Sequence, residues 1–403
     1  TLPRGGDLAG LMLLLGSEAA SDAPAVCGPE PEALSNASML RSWTVAPEVT
    51  QPGWGPEQAF APGWRLALSN TARPALALIG GAKCGSTDAF EYLVARFGFG
   101  RGHGGGKELW CLAQPDHKSL HLCYRDAFSQ VPPETLTIDG TPTYLHLIDR
   151  VMQQSAYAAI NMQYALPDTA VLVLLRDPAK RSRSEYTWNY NANSALFRSY
   201  LGADINVQLD VELAYLQGAS GRGLLELLLR PPGEVEAARV LHAYRQLSDG
   251  YSVWLARDPA RCARVSELDV TDFTVGDTTV RTCLAWPILI PSLYYPLLLH
   301  WRSCAFRPGR AAVVQSEAYY ANRGILDQLF SLPSRPLPYR PGSPANTQQY
   351  KGSNHGLSAE SARRLRDFFE LPNRRLRQLL RRLPAEGVPV LPPADEPGAW
   401  WPT

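Results

Sequence analysis

Lysine is scarce in this sequence. Of its 39 basic residues only five are lysine, namely Lys83, Lys107, Lys118, Lys180 and Lys351. Lysine carries a compact, mobile charge with a proton to share, whereas arginine is a rigid planar fork. In a chain that uses arginine for nearly every cation, the retained lysines mark candidate functional positions.

Signatures of metal, scaffold and nucleic-acid proteins are missing. The chain has no Cys-x-x-Cys pair that would predict zinc, and seven cysteines in 403 residues are too few for a disulfide scaffold. Cys262, Cys283 and Cys304 lie in one region and could include a bridge. The net charge of +1 gives no overall attraction to nucleic acid or anionic membranes. We therefore expect a local anion site, no metal and no nucleic-acid partner.

Long apolar runs are also missing near the start of the chain. Leu8 to Leu15 is the only continuous apolar run there, and it is too short to span a bilayer. It is either the end of a trimmed signal or anchor segment, or a short buried or disordered stretch. The composition predicts an irregular N-terminal arm over 1–72, a domain over 73–385 and a Pro-rich tail over 386–403.

Apolar runs alternate with helical patterns from residue 74 onward. Strands are predicted at 75–79, 135–139, 170–175 and 311–315. Helical patterns follow the first three, which favours an α/β fold with a parallel sheet covered by helices on both faces, in three layers. The first of these helices runs from about Asp88 to Arg96, and Ser86 or Thr87 can cap it.

Two further stretches differ from this alternation. Residues 190–300 mix helical periodicity with irregular pieces and are interpreted either as a lid or as an insert on the acceptor side of the site. Ser358 to Leu383 has an amphipathic helical pattern, which Pro372 is expected to break.

The loop after the first predicted strand has the composition of an anion site. Gly80–Thr87 reads Gly-Gly-Ala-Lys-Cys-Gly-Ser-Thr. Its glycines allow successive N–H groups to face one anion, the next helix adds its positive end, and Lys83 adds a charge. A Walker A loop would need lysine directly after the second glycine, where Ser86 stands. The alternative is a tight strand–helix turn with no ligand.

A second polar segment follows the third predicted strand. Arg176 and Ser184 are eight residues apart, a spacing that places a strand-end residue and a residue two helical turns later beside one phosphate. Arginine suits a phosphate because it donates twice in a fixed geometry. The alternative is a helix that begins at Pro178 and exposes basic side chains.

These segments resemble the PAPS-dependent sulfotransferases, which use 3′-phosphoadenylyl sulfate (PAPS) as donor. Lys83–Thr87 is similar to their 5′-phosphosulfate loop, Lys-x-Gly-Thr-Thr, and its cysteine is most similar to the chondroitin and dermatan GalNAc 4-sulfate 6-O-sulfotransferase branch. The Arg176 to Ser184 segment resembles the family's 3′-phosphate motif. Gly140–Tyr144 resembles a Ser/Thr-Pro-x-Tyr segment that lines the acceptor cleft. Tyr350–His355 resembles a Lys-Gly loop that closes over the 3′-phosphate and adenine, although Ser353 stands where many members have Arg.

The resemblance implies a P-loop NTPase-like sulfotransferase fold and a donor site that needs no metal. The residues that it assigns to PAPS are Lys83, Cys84, Gly85, Ser86, Thr87, Arg176, Ser184, Lys351, Gly352 and Ser353.

Two residues compete for the role of catalytic base. In the glycosaminoglycan sulfotransferases a glutamate in a Lys-Glu-x-His/Trp segment removes the acceptor proton, and Lys107–Trp110 matches that segment with Glu108. His103, in a glycine-rich stretch, is the rival base and ranks second. Lys83 suits the bridging oxygen between phosphate and sulfate.

The resemblance also implies the acceptor and the compartment. We expect a carbohydrate O-sulfotransferase of the Golgi lumen, present as a type II membrane protein with an anchor at or before the N-terminus, or as its trimmed lumenal part. The sequon Asn36-Ala-Ser38 is consistent with a glycoprotein.

Three other functions stay open at this point. A P-loop nucleotide kinase or NTPase would need a strand-end carboxylate for Mg²⁺, and Asp139 ends a predicted strand. A glycosyltransferase that uses a nucleotide sugar commonly carries Asp-x-Asp, which this sequence does not contain. A non-catalytic relative would bind a glycan without turnover.

Overall fold

The computed structural model describes ten parts of the chain. They are residues 73–114, 117–145, 158–191, 201–230, 234–266, 270–275, 278–283, 285–330, 356–396 and 400–401. The predicted N-terminal arm and the Lys351-Gly352-Ser353 segment lie outside these residues.

Seven strands lie in the described residues, and five of them form one parallel sheet. In chain order the strands are Leu76–Gly80 (β1), Ile138–Asp139 (β2), Ala170–Leu175 (β3), Thr271–Val275 (β4), Thr278–Thr282 (β5), Ala311–Gln315 (β6) and Val390–Leu391 (β7). The sheet has the order β2-β1-β3-β6-β7, and every pairing in it is parallel. Every residue of β1, β3 and β6 is buried, as expected for apolar runs covered on both faces.

The helices of the described residues flank this sheet or build the insert. They are Ser86–Phe97 (α1), His117–Ala127 (α2), Ala158–Tyr164 (α3), Pro178–Asn191 (α4), Ile205–Gln217 (α5), Ala219–Leu229 (α6), Glu234–Ala256 (α7), Pro259–Val265 (α8), Tyr294–Cys304 (α9), Ser316–Ala321 (α10) and Ala359–Leu380 (α11). Short 3₁₀ turns at His103–Gly105, Cys111–Ala113, Pro142–Leu145, Ile290–Ser292, Arg323–Gln328 and Leu383–Glu386 connect several of them. The predicted fold class, a parallel α/β sheet with flanking helices, is confirmed.

Two local predictions about helices are wrong. Gly85, not Ser86 or Thr87, precedes the first turn of α1, and no side chain caps that turn. Pro372 lies inside α11 without ending it. One lost backbone hydrogen bond does not break this helix, because its apolar face, which includes Phe369 and Leu376, is buried on both sides of the proline.

The end of the chain belongs to the domain. The boundary predicted at residue 385 is wrong, since β7 pairs with β6 at Val313↔Val390 and Val314↔Leu391. Trp400 is fully buried. Val390 and Trp400 are buried, and burial of apolar surface favours packing of this Pro-rich segment against the rest of the domain.

The stretch predicted as an insert is mainly helical where it is described. It contains α5 to α8 and the antiparallel hairpin β4–β5. A disulfide joins Cys262 to Cys283, which confirms one bridge in the region where it was expected. The buried Glu212 on α5 accepts three backbone N–H bonds, from Ile288, Leu289 and Ile290. These bonds hold α5 to the segment that precedes α9.

No helix among the described residues is long and apolar enough to cross a membrane.

Candidate functional site

Three strand ends meet at the loop between β1 and α1. Arg176, directly after β3, donates from Nη1 to the carbonyl oxygen of Lys83 at 3.0 Å. Ser316, directly after β6, donates from its hydroxyl to the carbonyl oxygen of Cys84 at 2.5 Å. In a parallel sheet the carboxyl ends of the strands lie at one edge, where ligands of α/β folds bind. Two neighbouring strands therefore hold the main chain of the predicted anion loop.

The loop turns through two residues with a left-handed main chain. Lys83 has φ 71° and Gly85 has φ 88°. A larger residue at Gly85 would have a strained main chain, and its Cβ would lie 2.5 Å from the present position of the Tyr320 hydroxyl. Because no side chain caps α1, its first N–H groups are left to a ligand or water.

Lys83 lies among charges from three other segments. Its Nζ is 3.8 Å from the centre of the Trp188 ring. Burial lowers its pKa to about 8, opposed by the nearby carboxylates of Glu185 and Glu108. Lys107 and Arg176 are also close enough to lower this pKa. The structure thus brings together Lys83, Glu108 and Arg176, three of the residues that the sequence predicts for the site.

Lys107 connects the predicted base to the loop helix. Its Nζ lies 3.2 Å from the Ser86 hydroxyl and 2.7 Å from Glu108 Oε1. The Lys107 side chain is 13% exposed, whereas that of Glu108 is 40% exposed. Glu108 is therefore accessible from solvent, while its cationic partner is held against the loop.

The segment that carries Glu108 is held by Thr141. The Thr141 hydroxyl accepts the backbone N–H groups of Leu109 at 3.0 Å and Trp110 at 3.2 Å, and donates to Asp139 Oδ1 at 2.7 Å. The neighbouring Gly140 N–H donates to the carbonyl of Lys107 at 2.9 Å. The Gly140–Tyr144 segment, predicted to line the acceptor cleft, thus has a structural role in positioning the candidate base.

Asp139 is enclosed by hydroxyl groups. Its Oδ2 accepts from Tyr124 and Tyr144, each at 2.8 Å, and its Oδ1 accepts from Thr141. The residue is fully buried, and burial raises its pKa. Both oxygens are therefore engaged by protein donors.

The helix after Arg176 carries a buried ion pair beneath the site. Arg181 and Glu185 are bonded to each other on α4, and Glu185 Oε1 also accepts from Trp286 Nε1 at 3.1 Å. Ser184, the predicted partner of Arg176, is half-buried on the same helix and makes no hydrogen bond to Arg176. Cys84 is a free, buried thiol 3.5 Å from the Tyr294 hydroxyl, and burial raises its pKa.

The remaining predicted residues differ in their surroundings. Thr87 is half-buried in the first turn of α1. His103 is exposed on a short 3₁₀ turn, next to Gly104 with φ 69° and Gly105 with φ 78°. Lys351, Gly352 and Ser353 lie outside the described residues.

Three contacts of the site were not anticipated from sequence. They are the Trp188 ring over Lys83, the Lys107 bond to Ser86 and the Tyr320 hydroxyl over Gly85. Trp188 comes four residues after Ser184 on a helix, so helical spacing could have placed it beside the site. Tyr320 carries no such signal, because it reaches Gly85 from the far side of β3.

Neither a scan of protein-family models nor a search of curated proteins found a match to this chain. Among the described residues there is also no group of three or more His, Cys, Asp or Glu side chains arranged to hold a metal ion.

Proposed function

We propose that this chain is a sulfotransferase that moves a sulfuryl group from PAPS to a hydroxyl of a carbohydrate. The observation that carries the proposal is the junction of Lys83 and Arg176. A lysine displaced from the Walker position and a strand-end arginine are joined by one hydrogen bond, so two cations flank one loop. PAPS carries a phosphosulfate and a separate 3′-phosphate, and it needs two such anion sites.

The donor set of the loop fits a phosphosulfate. Gly85 gives the loop its left-handed turn, with φ 88°, and α1 offers its uncapped N-terminus. Lys83, Ser86 and Lys107 supply a cation, a hydroxyl and a second cation within one cluster. When bound, PAPS would supply an activated sulfuryl group and a phosphate leaving group.

The roles of the chain's own groups follow from their positions. Burial lowers the pKa of Lys83 to about 8, so its ammonium group is mostly charged at neutral pH. This charge would stabilise the negative charge that develops on the bridging oxygen of the leaving phosphate. Arg176 would orient the donor through its 3′-phosphate, with Ser184 as a further hydroxyl. Glu108, exposed and close to Lys83, would remove the acceptor proton.

The surroundings of Asp139 favour this function over a nucleotide kinase or NTPase. In the kinase alternative the strand-end carboxylate would help to hold Mg²⁺. Here both carboxylate oxygens accept bonds from Thr141, Tyr124 and Tyr144, and the residue has no exposed surface. With the backbone N–H of Thr141, the carboxylate accepts four hydrogen bonds in the interior, and recruiting it to a cation would disrupt them.

Two disulfides support the proposed compartment. Cys111 is bonded to Cys123 and Cys262 to Cys283. Structural disulfides persist in oxidising compartments such as the secretory pathway. We therefore propose the Golgi lumen as the place of action, with the chain as a type II membrane protein or its lumenal part.

Nucleotide binding and transfer test the proposal. Equilibrium dialysis should show that PAP, the desulfated form of PAPS, binds without Mg²⁺ and that ATP with Mg²⁺ binds weakly. Labelled PAPS should then transfer its label to members of a carbohydrate acceptor panel. Strong binding of ATP with Mg²⁺ together with no binding of PAP would overturn the proposal.

A further inference from the structure

Tyr320 lies on the anion loop although it comes from a different strand end. The loop is bonded to the first residue of α10 through the Ser316 hydroxyl. One turn later, the Tyr320 hydroxyl and ring edge cover Gly85, at 2.5 and 3.0 Å from the position that a Cβ would take there. The phenol therefore covers one face of the loop at Gly85.

The backbone at Tyr320 is held by its neighbours. Tyr319 is buried and donates to Asp88 Oδ2 at 2.6 Å, and Arg323 donates to Asp88 Oδ1 at 2.9 Å. The rings of Tyr319 and Tyr320 are 5.5 Å apart. Because Asp88 belongs to the first turn of α1, these bonds fix the position of Tyr320 relative to that turn.

Exposed aromatic side chains are concentrated at this loop. Among the described residues, three large hydrophobic side chains are exposed: Trp188 at 41%, Tyr320 at 43% and Leu229 at 64%. Two of the three contact the loop, since Trp188 covers Lys83 and Tyr320 covers Gly85. Exposed aromatic groups beside a cationic loop are typical of a ligand site.

Partial burial keeps the Tyr320 hydroxyl a donor. It raises the pKa of the phenol, the charge of Arg176 lowers this pKa, and the carboxylate of Asp88 raises it. The neutral hydroxyl lies over the main chain of Gly85. A phosphate ester bound on this loop would lie within its reach.

We propose that Tyr320 is a further ligand-binding residue, whose hydroxyl donates to the 5′-phosphate group of a nucleotide held by the loop Lys83–Thr87. The nature of the nucleotide rests on the proposed function, because that function supplies a 3′,5′-bisphosphate as the ligand. Because the Tyr320 hydroxyl lies over Gly85, we expect it to contact the 5′-phosphate on the loop and not the 3′-phosphate.

Binding of two nucleotides to Tyr320→Phe tests the inference. PAP carries both phosphates, whereas 3′-AMP lacks the 5′-phosphate, so isothermal titration with each isolates the contact. We expect Y320F to lose about 10-fold in affinity for PAP, the size of a hydrogen bond to a charged group, and to bind 3′-AMP as the wild type does. Thermal denaturation of Y320F should match the wild type, because the ring stays in place.

The outcomes separate this inference from the proposed function. If Y320F binds PAP as tightly as the wild type, or loses the same affinity for PAP and for 3′-AMP, the inferred role of Tyr320 is wrong. The proposed sulfotransferase function is unaffected by that result. If the wild type binds neither nucleotide, the proposed function itself fails. Y320A should lose at least as much affinity for PAP as Y320F, and a smaller loss would also contradict the inference.

Discussion

Arg176 donates from Nη1 to the main-chain carbonyl of Lys83 across 3.0 Å, which joins the end of β3 to the loop after β1. The carbonyl belongs to a residue in the left-handed conformation, with φ 71°. A guanidinium has five N–H donors, so one bond to the loop leaves others for an anion. Arg176 therefore supports the loop and contributes to the candidate site at once.

Replacement of Arg176 should weaken PAP binding. We expect R176A to lose about 10- to 100-fold in affinity, since a hydrogen bond to a charged group contributes about 1.5–3 kcal/mol. R176K should bind PAP more tightly than R176A but less tightly than the wild type, because lysine cannot donate twice in a fixed geometry. Isothermal titration measures both variants, with R222A, an exposed arginine on α6, as the matched control. Equal losses in R176A and R222A would contradict the assigned role.

PAP binding should weaken above pH 8 because of Lys83. Burial lowers the pKa of this ammonium to about 8, so the cation that binds the anion is lost as the pH rises through that value. A plot of log affinity against pH should bend downward near pH 8. K83R should keep its charge and remove the bend, whereas K83M should bind weakly at all pH values. A wild-type affinity that stays constant from pH 7 to about 9.5 would disprove this assignment.

Glu108 and His103 should differ in their effect on transfer. We expect E108Q to lose at least about 100-fold in the rate of label transfer from PAPS, as the loss of a general base does, while it binds PAP as the wild type does. H103A should retain most of the rate, because Glu108 is the candidate base that lies close enough to Lys83 to affect its pKa. The reverse pattern, with H103A inactive and E108Q active, would make His103 the base.

Thr141 should stabilise the segment that carries Glu108. The T141V variant leaves two backbone N–H groups and an Asp139 oxygen without this partner, which should cost about 1–3 kcal/mol of the free energy of unfolding. T141S keeps the hydroxyl and should lose less than about 1 kcal/mol. Urea denaturation compares the variants. Similar losses in both would show that the methyl group, not the hydroxyl, matters.

Glu212 should make stability depend on pH. Burial raises its pKa from 4.5 to about 7, even though three backbone N–H groups favour its charged form. The folded state therefore binds more protons than the unfolded state between these values, so the free energy of unfolding should fall as the pH rises from 4.5 to 7. The E212Q variant should lack this part of the pH dependence. If the free energy of unfolding changes with pH in the same way for the wild type and E212Q over this range, Glu212 is not the group responsible.

The fold class was predictable because buried parallel strands have a strong signature. The runs at 170–175 and 311–315 contain only apolar residues apart from one glutamine, and they are β3 and β6 at those residues. The run at 135–139 is a strand only over Ile138–Asp139, while Thr137 forms an isolated bridge with Gly100. The ends of an element depend on which neighbours pair with it, and a local pattern does not contain that information.

Pattern reasoning failed where tertiary packing outweighed a local preference. Pro372 is a helix breaker in isolation, yet α11 continues through it because the buried apolar face of the helix spans it. The tryptophans near the C-terminus were unexpected for a related reason. Trp401 Nε1 donates to Glu317 Oε2 at 3.2 Å and Trp400 Nε1 to the Pro392 carbonyl at 2.8 Å. The bond from Trp401 joins segments that are far apart in the sequence, so no local pattern contains it.

Residue types and local spacing are enough to predict the chemical groups of the candidate site, because they indicate strand ends, a glycine loop and a helix start. They identify Lys83, Glu108 and Arg176, but as separate positions. They do not show that Arg176 bonds the Lys83 carbonyl, that Lys107 reaches Ser86, or that Tyr320 covers Gly85. These contacts arise from strand order and helix packing, which bring distant segments of the chain to one edge of the sheet.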